Sequence, residues 1–217
     1  FHPYYPGDEY AFKYTQYDVS KANKILDGIM PKKGSDGFRV MSNGKTLDIE
    51  IGVVPAFGAW VDIAQLIVEN WSEIGVKAHV EVRERTVHFA MRPANELMAE
   101  VWNEDTTGFP FSGQPKFDPR SDPALTFAPL VAKWYATDGK QGIAPQPEIR
   151  RLVEIIDEAK TSSRNRQVAL AKELFRIWAD NVWEIGTVGM TPMIQGVLVA
   201  NKKLRNIPEV AGNDWPL

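Results

Sequence analysis

Cysteine is absent from the 217 residues, so the chain has neither a disulfide framework nor a thiolate metal site. Histidine is scarce, with three in all, and no Ser, Cys or second His stands at triad or metal-ligand spacing from His79 or His88. An excess of positive charge is also missing. Twenty-five Lys and Arg face 28 Asp and Glu, which gives no reason to expect nucleic acid, whose binders carry basic patches. No apolar run approaches the ~20 residues of a membrane helix. There is no Gly-rich phosphate loop, no internal repeat and no low-complexity tract. What remains is a chain with 44% hydrophobic residues, enough for a real core and of a length that suits one α/β domain or one lobe of something larger. It starts at Phe1 rather than Met, and its first 17 residues are rich in Tyr, Phe and Pro. That composition reads as a segment packed against something, so residues 1–217 are expected to be a single lobe excised from a larger protein.

The organising stretch runs from Thr46 to Asp105. Leu47, Ile49, Ile51 and Val53 alternate with Asp48, Glu50 and Gly52, the period of a strand with one buried face. From Ala59 the period becomes helical: Trp60, Ile63, Ala64, Ile67, Trp71 and Ile74 make one stripe, and Gly75 stands where a C′ glycine is expected. Val76, Ala78, Val80 and Val82 mark a second strand. Thr86 is the expected cap of a short helix that Pro93 interrupts or ends, and residues 98–102 read as a third strand. Such a β-α-β succession implies parallel strands with crossing helices. Ligands in such sheets meet the loops at the strands' carboxyl ends, which directs attention to residues 101–106.

Elsewhere, Asp18 opens a helix with Ala22, Ile25, Leu26 and Ile29 inward, closed by Gly28 and Pro31. Residues 38–41 and 47 onward flank Asn43-Gly44, a hairpin signal of the type I′ turn. Residues 108–129 hold five prolines and four phenylalanines with no period. This long loop reads either as a functional lid or as a wrap packed over the sheet by its aromatics. Leu130–Ala136 reads as a helix. Pro147 and Ser163 open two further helices, expected to form an antiparallel hairpin. Strands are expected at Ile185–Met190 and Gly196–Ala200.

The run Tyr17-Asp18-Val19-Ser20-Lys21-Ala22-Asn23-Lys24-Ile25-Leu26-Asp27 resembles the peptide/nickel-type extracytoplasmic solute-binding proteins of bacterial ABC importers. The likeness continues through Asp36-Gly37-Phe38-Arg39, Asn43-Gly44-Lys45, Trp71-Ser72-Glu73-Ile74-Gly75-Val76 and Arg92-Pro93-Ala94-Asn95-Glu96. It ends with Lys133-Trp134-Tyr135-Ala136 and Leu204-Arg205-Asn206-Ile207-Pro208-Glu209, so it spans nearly the whole chain. The resemblance implies an α/β lobe of the periplasmic-binding-protein type II-like class: a mixed, mainly parallel sheet flanked by helices, with a long Pro/Phe-rich loop. It implies the carboxyl-side lobe of a protein whose two lobes close on a ligand and pass it to a membrane permease. It also implies a periplasmic location, or a lipid anchor on the outer face of the cell membrane, with no cofactor and no chemistry of its own.

Dipeptide-binding members carry a Gly-Trp-x-Gly-Asp segment that supplies a tryptophan wall and an aspartate for the ligand's α-ammonium. Val101-Trp102-Asn103-Glu104-Asp105 resembles it, with the glycines replaced by Val101 and Glu104. Trp102, Asn103, Glu104, Asp105 and Thr106 are therefore the ligand-binding candidates. A short peptide is the leading ligand, and an oligosaccharide or opine-like compound is the alternative. A sugar hydrolase built on Glu104 or Asp105 is a remote third reading, since neighbours in an extended segment point to opposite sides. The bland expectations are that Trp102 packs under the aromatic loop, that Asp105 caps a turn, and that Trp60, Trp71 and Trp178 are core. His79 and His88 are expected at the surface, and Arg83 and Arg85 in solvent.

Overall fold

Strand alternation, helical stripes and caps recur in the computed structural model, which describes residues 3–56, 59–102, 110–111 and 117–187. The chain divides into two units, Phe1–Trp183 and Glu184–Leu217. Of the second, only residues 184–187 are described, and they carry no regular structure. The rest of the expected strand from Ile185, and all of Gly196–Ala200, lie outside the described residues.

The first unit is built on β1 (Asp48–Val53), β2 (Lys77–Val82) and β3 (Ala99–Val101), in the order β2-β1-β3. All three are parallel: Asp48 pairs with Lys77 and Val53 with Val82, while Ile51 pairs with Ala99 and Val53 with Val101. Helices α3 (Trp60–Glu73) and α4 (Arg85–Ala94) make the crossovers. The β1-to-β2 step and the β2-to-β3 step run in opposite directions across the sheet. Right-handed crossovers then put α3 and α4 on opposite faces. Ile51 and Val53 are buried, as the alternation requires, and Gly52 between them turns toward α4. Gly75, at φ 75°, closes α3 as a C′ glycine.

Several local expectations change. Asn43-Gly44 does not make a type I′ turn. Only Gly44 of that pair has positive φ, at 83°, and its N–H donates to Met41 O at 2.9 Å. Lys45 O then accepts from Met41 N and Val40 pairs with Thr46, as in a three-residue hairpin loop with a glycine in the left-handed region. Helix α4 is capped by Glu84, not Thr86. The Glu84 carboxylate accepts from Thr86 N at 2.7 Å and Val87 N at 3.2 Å, and Pro93 sits in the last turn without breaking the helix. Helix α2 (Val19–Ile29) is capped by Asp18 but runs past Gly28, and its expected inner face is only partly covered among the described residues: Ala22 and Leu26 are half-buried, while Ile25 and Ile29 are exposed.

Polar contacts hold α2 instead. Arg39 is buried, and its guanidinium donates to Ile74 O, Met30 O, Asn23 Oδ1 and Asp27 Oδ1, each at 2.8 Å. The short helix α1 (Asp8–Ala11) and its flanks pack on α7 (Arg164–Asn181) through Tyr4 with Arg164, Tyr10 with Arg176 and Lys13 with Asp180.

The second core lies between α6 (Pro147–Ala159) and α7, joined by four residues. Leu152, Ile155, Ile156 and Ala159 meet Leu170 and Leu174. Phe117 completes that cluster, with Phe111, Phe127, Phe175 and Trp178 around it. The described part of the aromatic loop is thus a wrap, laid against this helix pair rather than over the sheet. Arg120 ties it to α6 through Asp157 at 2.8 and 3.0 Å. Helix α5 (Pro129–Ala136) follows directly.

Candidate functional site

The carboxyl ends of the parallel strands gather the side chains of interest. Trp102 stands one residue past β3 and is half-buried. Alternation along β3 puts Glu100 and Trp102 on the side that Gly52 faces, the α4 side. Helix α4 answers with Arg85, His88, Phe89 and Arg92, at the i, i+3, i+4 and i+7 spacing of one helix face.

Among the described residues Trp102 packs on α3 and α4, not under the aromatic loop. Its ring centroid lies 4.9 Å from that of Trp60, the first residue of α3, and 5.1 Å from that of Phe89, which meets it edge-on at 90°. The guanidinium of Arg92 stands 4.8 Å above the Trp102 ring and that of Arg85 5.9 Å above it, within the range of cation–π attraction. Trp60 is buried, as expected of core.

Beneath these rings lies a polar cluster. Glu100 Oε2 accepts from His88 Nε2 at 2.6 Å and from Arg92 Nη2 and Nε at 2.8 and 3.0 Å. Arg92 Nη1 also donates to Ala124 O at 3.3 Å, which ties the aromatic loop to the site. Arg83 pairs with Glu50 at 2.8 Å. His88 is fully buried and the Arg83 side chain only 15% exposed, so both differ from the surface and solvent expected for them. The reason is the crossover: α4 lies across Gly52, and the glycine leaves room for an imidazole against the sheet. His79 is at the surface as expected, paired with Asp48 at the amino end of the sheet. There the Lys77 ammonium, and then His79, hold the Asp48 carboxyl below the usual carboxylate range.

Of the candidates read from the sequence, only Trp102 is among the described residues; Asn103, Glu104, Asp105 and Thr106 lie outside them. The sequence reading missed His88, Phe89, Arg92 and Glu100 as its neighbours. The helical spacing of Arg85, His88, Phe89 and Arg92 was the available signal. Among the described residues no group of three or more His, Asp or Glu is placed to hold a metal, and no helix is long and apolar enough to cross a membrane.

No protein-family model matches the chain, and no curated protein matches it. Solved structures do. An oligopeptide-binding protein, OppA, is 26% identical over 83% of this chain, with a TM-score of 0.72. The periplasmic binding protein MelB from Agrobacterium fabrum, in complex with stachyose, is 14% identical over 78%, with a TM-score of 0.64. A mannohexaose-bound periplasmic oligopeptide-binding protein from Thermotoga maritima is 19% identical over 84%, with a TM-score of 0.58. The chain spans 30%, 25% and 33% of the length of these three proteins. In its fold the chain is similar to a lobe-sized part of solute-binding proteins of the kind its motifs resemble.

Proposed function

We propose that this lobe is the carboxyl-side part of a solute-binding protein that captures a short peptide between two lobes and delivers it to an ABC permease outside the cytoplasm. The observation that carries the reading is the likeness to an oligopeptide-binding protein over 83% of the chain. The position of Trp102 at the carboxyl ends of parallel strands supports it, since open α/β sheets bind ligands there. Asp105, three residues on, is proposed as the partner of the peptide's ammonium, with Asn103, Glu104 and Thr106 beside it. The protein performs no chemistry in this reading.

An oligosaccharide is the second reading. It is favoured by the stachyose and mannohexaose held by two structural relatives, and by an indole that offers a stacking face to a sugar as well as to a peptide. A thermal-shift screen of the full-length protein with short peptides and oligosaccharides tests both. A ligand at a hundred times its Kd raises stability by about 2.7 kcal/mol. A rise with peptides and none with sugars is the expected result. A rise with sugars alone replaces the first reading by the second.

A further inference from the structure

We infer that Arg92, anchored on Glu100, is a positioning residue that fixes the plane of the Trp102 indole. The functional meaning of this inference rests on the reading of Trp102 as a ligand wall; its test does not.

The sheet does not fix this ring. Val101 is the last residue of β3 and pairs with Val53, so Trp102 stands beyond the ladder. The orientation of its indole depends on side-chain contacts.

Among those contacts, Arg92 is itself held on every edge. Its Nε and Nη2 both donate to Glu100 Oε2, at 3.0 and 2.8 Å, and its Nη1 donates to Ala124 O at 3.3 Å. A guanidinium is a rigid fork that donates in its own plane, so contacts on all three nitrogens fix that plane. Its faces remain for the rings. The guanidinium carbon lies 4.3 Å from the Phe89 centroid and 4.8 Å from that of Trp102. The Arg92 side chain is only 13% exposed, so solvent does little to weaken its hold on the rings. Ala124 belongs to the aromatic loop, so one guanidinium sets both the indole and the loop.

Glu100 is held in turn. Its Oε2 accepts a third time, from Nε2 of the buried His88 at 2.6 Å. His88 and Arg92 stand one turn apart on α4. Glu100 and Trp102 stand two residues apart and share one side of the strand direction. One carboxylate oxygen therefore ties the helix face that covers the indole to the strand that carries it. Charge alone would not do this. A lysine at position 92 keeps the charge and a contact to Glu100, but a single ammonium does not span Glu100 and Ala124 O while lying over two rings.

The full-length protein is labelled with 5-fluorotryptophan, and Trp102 is assigned by the resonance lost in Trp102→Phe. The other fluorine resonances report whether each variant is folded. Arg92→Met should move the Trp102 resonance. Arg92→Lys should move it too, because the charge returns without the fork. Glu100→Leu should move it by releasing Arg92, so the shift it causes should disappear when Arg92 is already methionine. A Trp102 resonance that keeps its wild-type place in folded Arg92→Lys would assign the effect to charge and overturn the inference. An undiminished shift from Glu100→Leu in the Arg92→Met background would overturn it as well, since Glu100 would then act on the indole by another route. Where Glu100→Leu does not fold, the lysine variant decides alone. The expected spectra in a protein that binds neither peptides nor sugars would strike the functional reading only.

Discussion

Arg39 shows how much one side chain can settle. Its side chain is fully buried, yet its carboxylate partner Asp27 is 59% exposed. The guanidinium therefore acts mainly as a fork that satisfies acceptors on two separate segments, α2 with its C-cap Met30 and the end of α3 at Ile74. Arg39→Met strands Ile74 O, Met30 O and Asn23 Oδ1, and should cost several kcal/mol in urea unfolding, at about 1–3 kcal/mol for each buried acceptor left unpaired. Asp27→Asn should cost about 1 kcal/mol or less, because the exposed partner turns to water. Equal losses in the two variants would mean that the ion pair, not the fork, holds the clamp. Asp105 raises a different question, which ligand class the site takes. A hydrogen bond to a charged group contributes roughly 1.5–3 kcal/mol, so against a peptide ammonium Asp105→Ala should weaken binding at least about tenfold. Asp105→Asn should then recover little, since the amide keeps the shape and loses the charge. With a neutral sugar the amide still accepts from a hydroxyl, and Asp105→Asn should be much the milder of the two. Titration calorimetry on the full-length protein decides, and two variants that bind like wild type would reduce Asp105 to a turn former.

At the scale of elements, the link between the aromatic loop and α6 is electrostatic and titrates. Hydrogen bonds from Arg120, and then Lys160, hold the Asp157 carboxyl below its ordinary value of 3.8. A depressed folded pKa stabilises the folded chain above the unfolded value, and that stability is lost as the pH falls through the folded one. The Asp157 side chain is 48% exposed, so the contribution is about 1 kcal/mol at most. Asp157→Asn should cost up to that amount at neutral pH, and its gap from wild type should close in urea titrations below about pH 4. A gap that does not change with pH would assign the loss to packing. The same elements show what was legible in the sequence. Period-2 alternation gave β1 and β2, helical stripes gave α3, α6 and α7, and Asp18 and Ser163 cap the helices they were expected to cap. These signals are local. What failed depends on contacts across the sheet. Glu84 took the cap expected of Thr86 because its longer carboxylate reaches two N–H groups. His88 looked like a surface residue because nothing nearby in the sequence records that α4 lies against Gly52. Trp102 was legible as a candidate by its motif, while its supports Arg92 and Glu100 emerge only once the crossover brings α4 over β3.

For the whole molecule the question is how much of a binding site one lobe holds. The chain spans about a third or less of the length of its structural relatives, so most of a protein of that length would lie outside it. In the proposed two-lobe arrangement the ligand is gripped from both sides, and closure excludes water. Removing one lobe deletes its contacts and also floods the remaining ones. The Coulomb term of a unit pair at 4 Å falls from about 4 kcal/mol at an effective dielectric of 20 to about 1 kcal/mol in bulk water. Trp102 would keep lobe-side neighbours such as Trp60, Phe89, Arg85 and Arg92, and would stack a ligand with the other face of that ligand in solvent. A loss of about 3 kcal/mol corresponds to roughly a hundredfold in Kd, and the Coulomb term alone reaches that figure. Residues 1–217 by themselves should therefore bind the ligand of the full-length protein at least about a hundredfold more weakly in calorimetry. The experiment needs a folded fragment, and cooperative urea unfolding is the control for it. Equal affinity of fragment and full-length protein would mean that this lobe carries a complete pocket, and the two-lobe capture proposed for it would be wrong.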